Sequence, residues 1–359
     1  MTTAPATSAL PVTTSSGAVP TVGVEEQFML LWPDGEAASI APELLGRLPG
    51  EIRARAEFAR YRVESATGGC AELAAVGRNL SIARRVLAEG AADLGARLLA
   101  VGTPPFGVPG AEVTCACHVT VELPDRDLGV AVLERLQPWL PALLALTGNS
   151  PLWRGHDTGW SSYRFVVQRR WPTFVPRPRS ADAAEYDERV ADPVAESAAT
   201  DAEGVHVLAR LSLGRPAVEI RLADTCPSVP DAVLLAGLCR ALVGTAVDDA
   251  LAGRPASDVP DRVLGGGAWA AARRGLTALV VSPGRARLAP AREVVDELMI
   301  AVAPALEAAG DACLLSDLLA DRLRRGSGAE RQRALWRLGP REVFVQALAK
   351  LCAGVERHR

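Results

Sequence analysis

The sequence has almost no lysine. Among 359 residues Lys350 stands alone, in a terminal helix-like segment, which excludes most catalysis by a lysine amine. Excess positive charge is also missing. The formal net charge is -3, which argues against a nucleic-acid partner. There is no C-x-x-C knuckle. Cys115 and Cys117 precede His118 with one residue between them, and no second pair follows, so zinc is not expected. The seven cysteines are an odd number set mostly among apolar neighbours. They read as reduced and buried, which predicts a cytoplasmic protein. No signal-peptide core is found near Met1. The most apolar run, Ala232 to Leu251, is interrupted by Arg240, Asp248 and Asp249, which predicts a buried helix and no membrane partner. Walker-type and protein-kinase motifs are absent, so any ATP must bind a sheet surface by another route.

What is present is a globular composition, 49% hydrophobic and 23% charged, in a chain long enough to bury a full core. Met1 to about Pro20 carries no charged side chain and is rich in Thr, Ser, Ala and Pro. It predicts a disordered, removable tail over 1–20, followed by a single α+β domain over 21–359 with a helical C-terminal part.

The stretch Thr21 to Leu31 reads as a strand, because β-branched and apolar residues flank a polar centre. Side chains alternate along a strand, so Val24, Glu26 and Phe28 point one way and Glu25, Gln27 and Met29 the other. A carboxylate in so apolar a strand must be solvated, paired or bound to a cation. On this stretch alone, an exposed edge and a cation site both remain open. The same pattern recurs. Arg62 to Ala66 puts Arg62 and Glu64 on one face. Val113 to Leu123 puts His118, Thr120 and Glu122 opposite Cys117, Val119 and Val121. Val205 to Ala223 reads as a hairpin with Arg210 on one strand and Glu219 and Arg221 on the other. Between them, helical spacing predicts helices over about 71–99 and 128–146. Tyr163 to Gln168 looks strand-like, and Val175 to Asp201 looks irregular. Everything after Asp224 has a helical pattern. Helices on the apolar face of a mainly antiparallel sheet would leave the polar face open as the site cavity, an α+β architecture.

Carboxylates with one imidazole suit Mg²⁺ or Mn²⁺, and arginines on the same surface suit phosphate or carboxylate groups. Together they point to phosphoryl chemistry on an acidic substrate. Each residue also has a plainer reading. Glu219 and Arg221 make a reasonable ion pair, His118 a core histidine, and His156 an exposed loop residue. Cys117 faces away from His118, so the two do not form a nucleophilic pair.

Several of these motifs carry a resemblance. Val22-Gly23-Val24-Glu25-Glu26-Gln27-Phe28 resembles the opening strand of the type 2 glutamate–cysteine ligase family. Val63 to Gly68, Cys115 to Val121, Asn149 to Arg164 and Val218 to Asp224 resemble its later motifs, in order. The resemblance implies a glutamine-synthetase-like sheet and an ATP-dependent carboxylate–amine ligase. In such an enzyme a glutamate-like γ-carboxylate is activated as an acyl phosphate and attacked by an amine. Amino acids would be the substrates, with Mg²⁺ or Mn²⁺ required, and a homodimer is allowed. The family pattern makes Glu25, Gln27, Glu64, His118 and Glu219 the metal-binding positions. It gives phosphate or substrate carboxylate to Arg164, Arg210 and Arg221, and the nucleotide to Glu25 and Arg221. Three positions depart from the pattern: Gln27 where the family has an acid, Thr120 where it has histidine, and His156 where it usually has arginine. The departures leave two alternatives open: a weak or inactive homologue that only binds, and a different acyl transfer on the same pocket.

Overall fold

The computed structural model describes residues 19–57, 59–108, 113–174, 180–195, 205–212 and 214–354. The tail expected before Pro20 lies outside the described residues as far as position 18. The strands are β1 (Val22–Leu31), β2 (Ala54–Glu57), β3 (Ala59–Ala66), β4 (Arg97–Leu99), β5 (Ala116–Glu122), β6 (Leu152–Trp153), β7 (His156–Asp157), β8 (Ala209–Leu211), β9 (Ala217–Asp224), β10 (Leu279–Ser282) and β11 (Arg287–Pro290). The helices are α1 (Ala41–Leu45), α2 (Leu73–Asp93), α3 (Arg126–Leu136), α4 (Leu140–Thr147), α5 (Tyr163–Gln168), α6 (Ala183–Ala195), α7 (Val229–Leu251), α8 (Asp261–Arg274), α9 (Ala291–Ala301), α10 (Ala303–Ala308), α11 (Ala312–Arg325), α12 (Gly328–Trp336) and α13 (Arg341–Cys352).

β1 is the centre of the fold. It pairs with β3 on one side and β5 on the other, and its last residues also pair with β4. The sheet runs β2-β3-β1-β5-β9-β8, and its strand pairs are antiparallel. Strand alternation then separates two faces. Val24, Val119, Val121, Val218 and Ile220 turn to one side and join the main core with α2, α4 and α7. Phe28 and Val63 join a smaller core under α1 and α2. The other face is polar around Glu25, His118 and Glu219, and its Met29 and Leu31 end is covered by a third core with Phe106 and Phe344. α7 is long and apolar enough to cross a membrane, but 78% of its most apolar stretch is buried inside the protein, where it covers the sheet.

The apolar face holds one charged pair. Glu26, fully buried, meets Arg84 of α2 in a fork: Nε to Oε2 at 2.8 Å and a terminal nitrogen to Oε1 at 2.5 Å. Arg84 also donates to the carbonyl of Cys226, just past β9, at 2.8 Å. The pair ties β1, α2 and the exit of β9 together. Burying both charges is tolerable only because the donors and acceptors are matched.

Four local expectations are corrected. Tyr163 to Gln168 is helix α5, because the Ser162 hydroxyl caps it by accepting from the Phe165 N–H. The long helix stops at Asp93 because Gly95, at φ +82°, turns the chain into β4. The stretch expected to be irregular contains α6. The C-terminal part is not wholly helical, since β10 and β11 form a hairpin whose β-branched Val280-Val281 run favours extension.

Candidate active site

The register of the central strands builds the site. Glu25 stands opposite His118 between β1 and β5, Gln27 opposite Glu64 between β1 and β3, and Glu219 opposite both Thr120 and Arg210. Glu25, Gln27, Glu64, His118, Arg210, Glu219 and Arg221 therefore share the open face. The β5–β9 register slips between Cys117 and Val119, at His118 itself, and such bulges re-aim a side chain.

One half of this face holds a three-residue cluster. His118 Nδ1 lies 3.7 Å from Glu25 Oε2 and 3.6 Å from Glu219 Oε1, beyond hydrogen-bond length. One ligand atom from each of the three residues lies within 4.8 Å of the others. The imidazole side chain is 7% exposed. Burial, then the positive charges of Arg221, Arg164 and Arg210, hold its pKa well below the ordinary histidine value. It is neutral, the form that ligates metals. Burial, followed by repulsion from Glu64 and Glu219, raises the Glu25 carboxyl. Glu219 carries two guanidinium groups, Arg210 Nε at 2.6 Å on Oε2 and Arg221 on Oε1. An imidazole this buried, with no hydrogen bond among the described residues and two carboxylates facing it, fits a divalent cation in a mixed oxygen and nitrogen set.

The other half is closed. The Gln27 carbonyl oxygen accepts from the Ala116 N–H at 2.8 Å, which turns its amide nitrogen toward Glu57 Oε2 at 2.9 Å and Glu64 Oε2 at 3.0 Å. Arg62 holds Glu57 at 2.7 Å and Arg55 holds Glu64 at 2.7 Å. Burial, then a hydrogen bond with Glu64, pushes the Glu57 carboxyl up to about 7. Burial works against the Glu64 carboxylate as well, yet the hydrogen bonds from Glu57 and Gln27 and the charge of Arg55 bring it below the ordinary value. Arg55 and Glu57 were not anticipated as site residues, and Arg62, expected on the face of Glu64, was given no site role. The alternation Ala54-Arg55-Ala56-Glu57 was the available signal, since it sets two charged side chains on one face of a short strand.

The remaining positions take other places. Arg164 is buried, and its guanidinium donates to the β9 carbonyls of Leu222 at 3.2 Å and Arg221 at 3.1 Å. Burial brings it down to about 10. It braces β9 beneath Arg221. Thr120 is half-buried beside Glu219, and His156 is exposed. Asp224 is fully buried and accepts from the Asn149 N–H and from the Ser150 and Ser162 hydroxyls at 2.7–2.8 Å. That network pins the start and end of the loop 149–162 to the end of β9. Gly102 packs there so closely that a Cβ would come within 2.7 Å of the Asp224 carboxyl carbon. A separate cavity of about 520 Å³ lies among α3, α4 and α8, walled by Leu133, Phe165, Phe174 and Trp269. It includes Ala209, from the apolar side of the sheet, and none of Glu25, His118 or Glu219, so the titratable cluster locates the candidate chemistry.

With this geometry in place, sequence comparison is decisive. The pattern of the glutamate–cysteine ligase family 2 matches residues 104–353. The chain belongs to that family. A glutamate–cysteine ligase 2 candidate from Salinispora arenicola is 40% identical, covering 88% of this chain and 90% of its own. Among solved structures, the glutamate–cysteine ligase of Francisella tularensis, in complex with AMP, superposes with a TM-score of 0.71 at 12% identity over 94% of this chain and 89% of that one. The ligase PafA, in complex with the ubiquitin-like protein Pup, gives 0.52 at 14% identity over 86% and 65%. The likeness to these structures, with the antiparallel sheet and its helices, makes this chain a glutamine-synthetase-like α+β fold. The family match includes the strands of His118, Arg210, Glu219 and Arg221.

Proposed function

We propose that this chain is an ATP-dependent carboxylate–amine ligase that uses a glutamate-like donor. The observation that carries the reading is the Glu25–His118–Glu219 cluster with Arg210 and Arg221 at its edge. The AMP bound by the Francisella tularensis ligase supports the nucleotide reading. Glu25, His118 and Glu219 would hold Mg²⁺ or Mn²⁺. A bound cation supplies neutralisation of phosphate charge. Arg210 and Arg221 bind anionic oxygens of phosphate or substrate, exchanging their present contact with Glu219 for the ligand. Arg164 keeps Arg221 in place through β9.

In the reaction, a γ-carboxylate oxygen of the donor bonds to the terminal phosphorus of ATP, and the bond to ADP breaks. The amine nitrogen of the acceptor then attacks the acyl carbon, inorganic phosphate leaves, and the nitrogen loses a proton. Arg210 and Arg221 at the edge of the cluster supply positive charge, which suits charge building up on phosphate.

The test is ADP and phosphate release from ATP with glutamate and a panel of amino-acid acceptors. Turnover with one pair is the expected result. ATP binding without any turnover would favour a binding-only homologue. A product retaining no new amide would favour a different acyl transfer.

A further inference from the structure

The two halves of the open face are unequal in how their carboxylates are partnered. In the cluster of Glu25, His118 and Glu219, Glu25 and His118 make no hydrogen bond through their side chains among the described residues, and His118 is 5% exposed with its Nδ1 aimed between two carboxylates. The oxygens of Glu25 and the ring nitrogens of His118 are free of side-chain partners there, while Glu219 carries Arg210 and Arg221, the two arginines proposed to turn to the ligand. Across β1 the carboxylates of Glu57 and Glu64 are the same distance from being a metal site in residue type, yet protein donors already occupy them. The Gln27 amide bridges the two, at 2.9 and 3.0 Å, and the Ala116 N–H on its oxygen prevents the amide from flipping its oxygen inward. Arg55 takes the other Glu64 oxygen, and Arg62 shares Glu57 Oε2 with the amide.

We propose that this face binds a single divalent cation, at Glu25, His118 and Glu219, and that Gln27 limits it to one by filling the position between Glu57 and Glu64 with an amide. The inference rests on the cation reading given under the proposed function and adds a count and a residue responsible for it. The chemical reason is simple. An amide NH₂ between two carboxylates donates to both, as a cation would, without adding a ligand. A carboxylate at position 27 has no N–H to give, adds one negative charge, and turns three side chains into a cation-binding set.

The experiment is Mn²⁺ titration of the full chain without nucleotide or amino acids, read by the loss of the free-ion electron paramagnetic resonance signal and by calorimetry. Wild type is expected to bind one Mn²⁺ per chain, and Gln27→Glu two. His118→Ala is expected to weaken the wild-type site at least about tenfold. Glu64→Gln should leave one ion, with affinity within about threefold of wild type. Because Gln27→Glu crowds three carboxylates, its thermal midpoint is measured with and without Mn²⁺, and a larger Mn²⁺ gain than in wild type is expected. Two ions in wild type, none, or one in a folded Gln27→Glu variant would overturn the proposal. So would a tenfold loss in Glu64→Gln. A wild type with one Mn²⁺ and no ADP release would leave this count standing and remove the ligase reading, so the two failures are distinguishable.

Discussion

Glu25 and Glu26 are neighbours on one strand and meet opposite fates. Glu26 faces the helices, is fully buried, and has both oxygens matched by the Arg84 fork. The Glu25 side chain faces the open side, is 38% exposed, and has His118 at 3.7 Å without a hydrogen bond. Burial alone would nominate Glu26 as the unusual carboxylate. The partner inventory nominates Glu25. A buried charge with every donor in place is architecture, because nothing is left for a ligand to satisfy. A carboxylate short of donors beside a neutral, nearly buried imidazole is the one with capacity to bind.

The contrast breaks most visibly on the architectural side. Arg84→Met leaves Glu26 without its partner in the core, and removing one partner of a buried pair costs about 3–5 kcal/mol. Chemical denaturation should give that loss. Adding Glu26→Leu should recover most of it, because the double change replaces two charges with apolar volume. A loss below about 1 kcal/mol in the single variant would show that Glu26 accepts a proton or water cheaply, and the distinction between the two glutamates would fail.

On the open side the expected pattern reverses. His118→Ala removes a group with no hydrogen bond, so metal-free stability should hold or rise slightly. Mg²⁺-ATP affinity should fall at least tenfold, about 1.4 kcal/mol, and ADP release should drop with it. Calorimetry and a coupled ADP assay check both. A marked loss of melting temperature with unchanged Mg²⁺-ATP affinity would make His118 a core residue.

Much of this contrast was legible in the sequence, and the limits have physical reasons. Alternation along 22–31, 116–122 and 217–224 is a local property, so the open face with Glu25, His118 and Glu219 could be read before any fold was known. The Arg84–Glu26 pair spans 58 residues, and no local pattern reveals it. The resemblance makes Gln27 a metal-binding position. What its amide does depends on Ala116, 89 residues away, whose N–H takes the amide oxygen. The segment 163–168 has strand-like composition, but one capping hydroxyl at Ser162 and the packing of Phe165 override it. The hairpin at 279–290 had a signal, Val280-Val281 followed by Pro283-Gly284, that helical expectation covered over.

A smaller effect sharpens the comparison between the two halves of the open face. The Glu57 carboxyl is pushed up to about 7, first by burial and then by its hydrogen bond with Glu64. The folded state therefore holds a proton that the unfolded chain has lost. The stability from this group is complete below about pH 4.5 and disappears as pH rises through 7. His118 works in the opposite sense: its depressed pKa penalises the fold as pH falls below the ordinary value of 6.5. Comparison with Glu57→Gln isolates the first contribution. From pH 5 to 8 the variant should gain on wild type by on the order of 1–2 kcal/mol, read from denaturation at each pH. A difference that stays flat with pH would remove Glu57 as a proton holder.

The smallest effect belongs to the rim. Asp157, in the two-residue strand β7, is gripped by Arg333 of α12: Nε to Oδ2 and a terminal nitrogen to Oδ1, both at 2.8 Å. The same guanidinium donates to the Trp160 carbonyl at 2.8 Å, and Asp157 accepts from the Gly159 N–H at 2.9 Å. The Arg333 hydrogen bonds hold the Asp157 carboxyl below its ordinary value. Its contribution is present above about pH 4 and is lost as pH falls through the lowered value. The carboxylate is 39% exposed, so solvent screens the pair, and Arg333→Met should cost less than about 1 kcal/mol of global stability. The local consequence is larger than the global one, because the fork and the Trp160 carbonyl contact hold the middle of a loop whose two ends are already fixed at Asp224. Amide hydrogen exchange should quicken over 155–160 in the variant and stay unchanged at 149–150 and 162–164, where the Asp224 network holds. Uniform exchange across the whole loop would mean that Arg333 adds nothing to what Asp224 already provides.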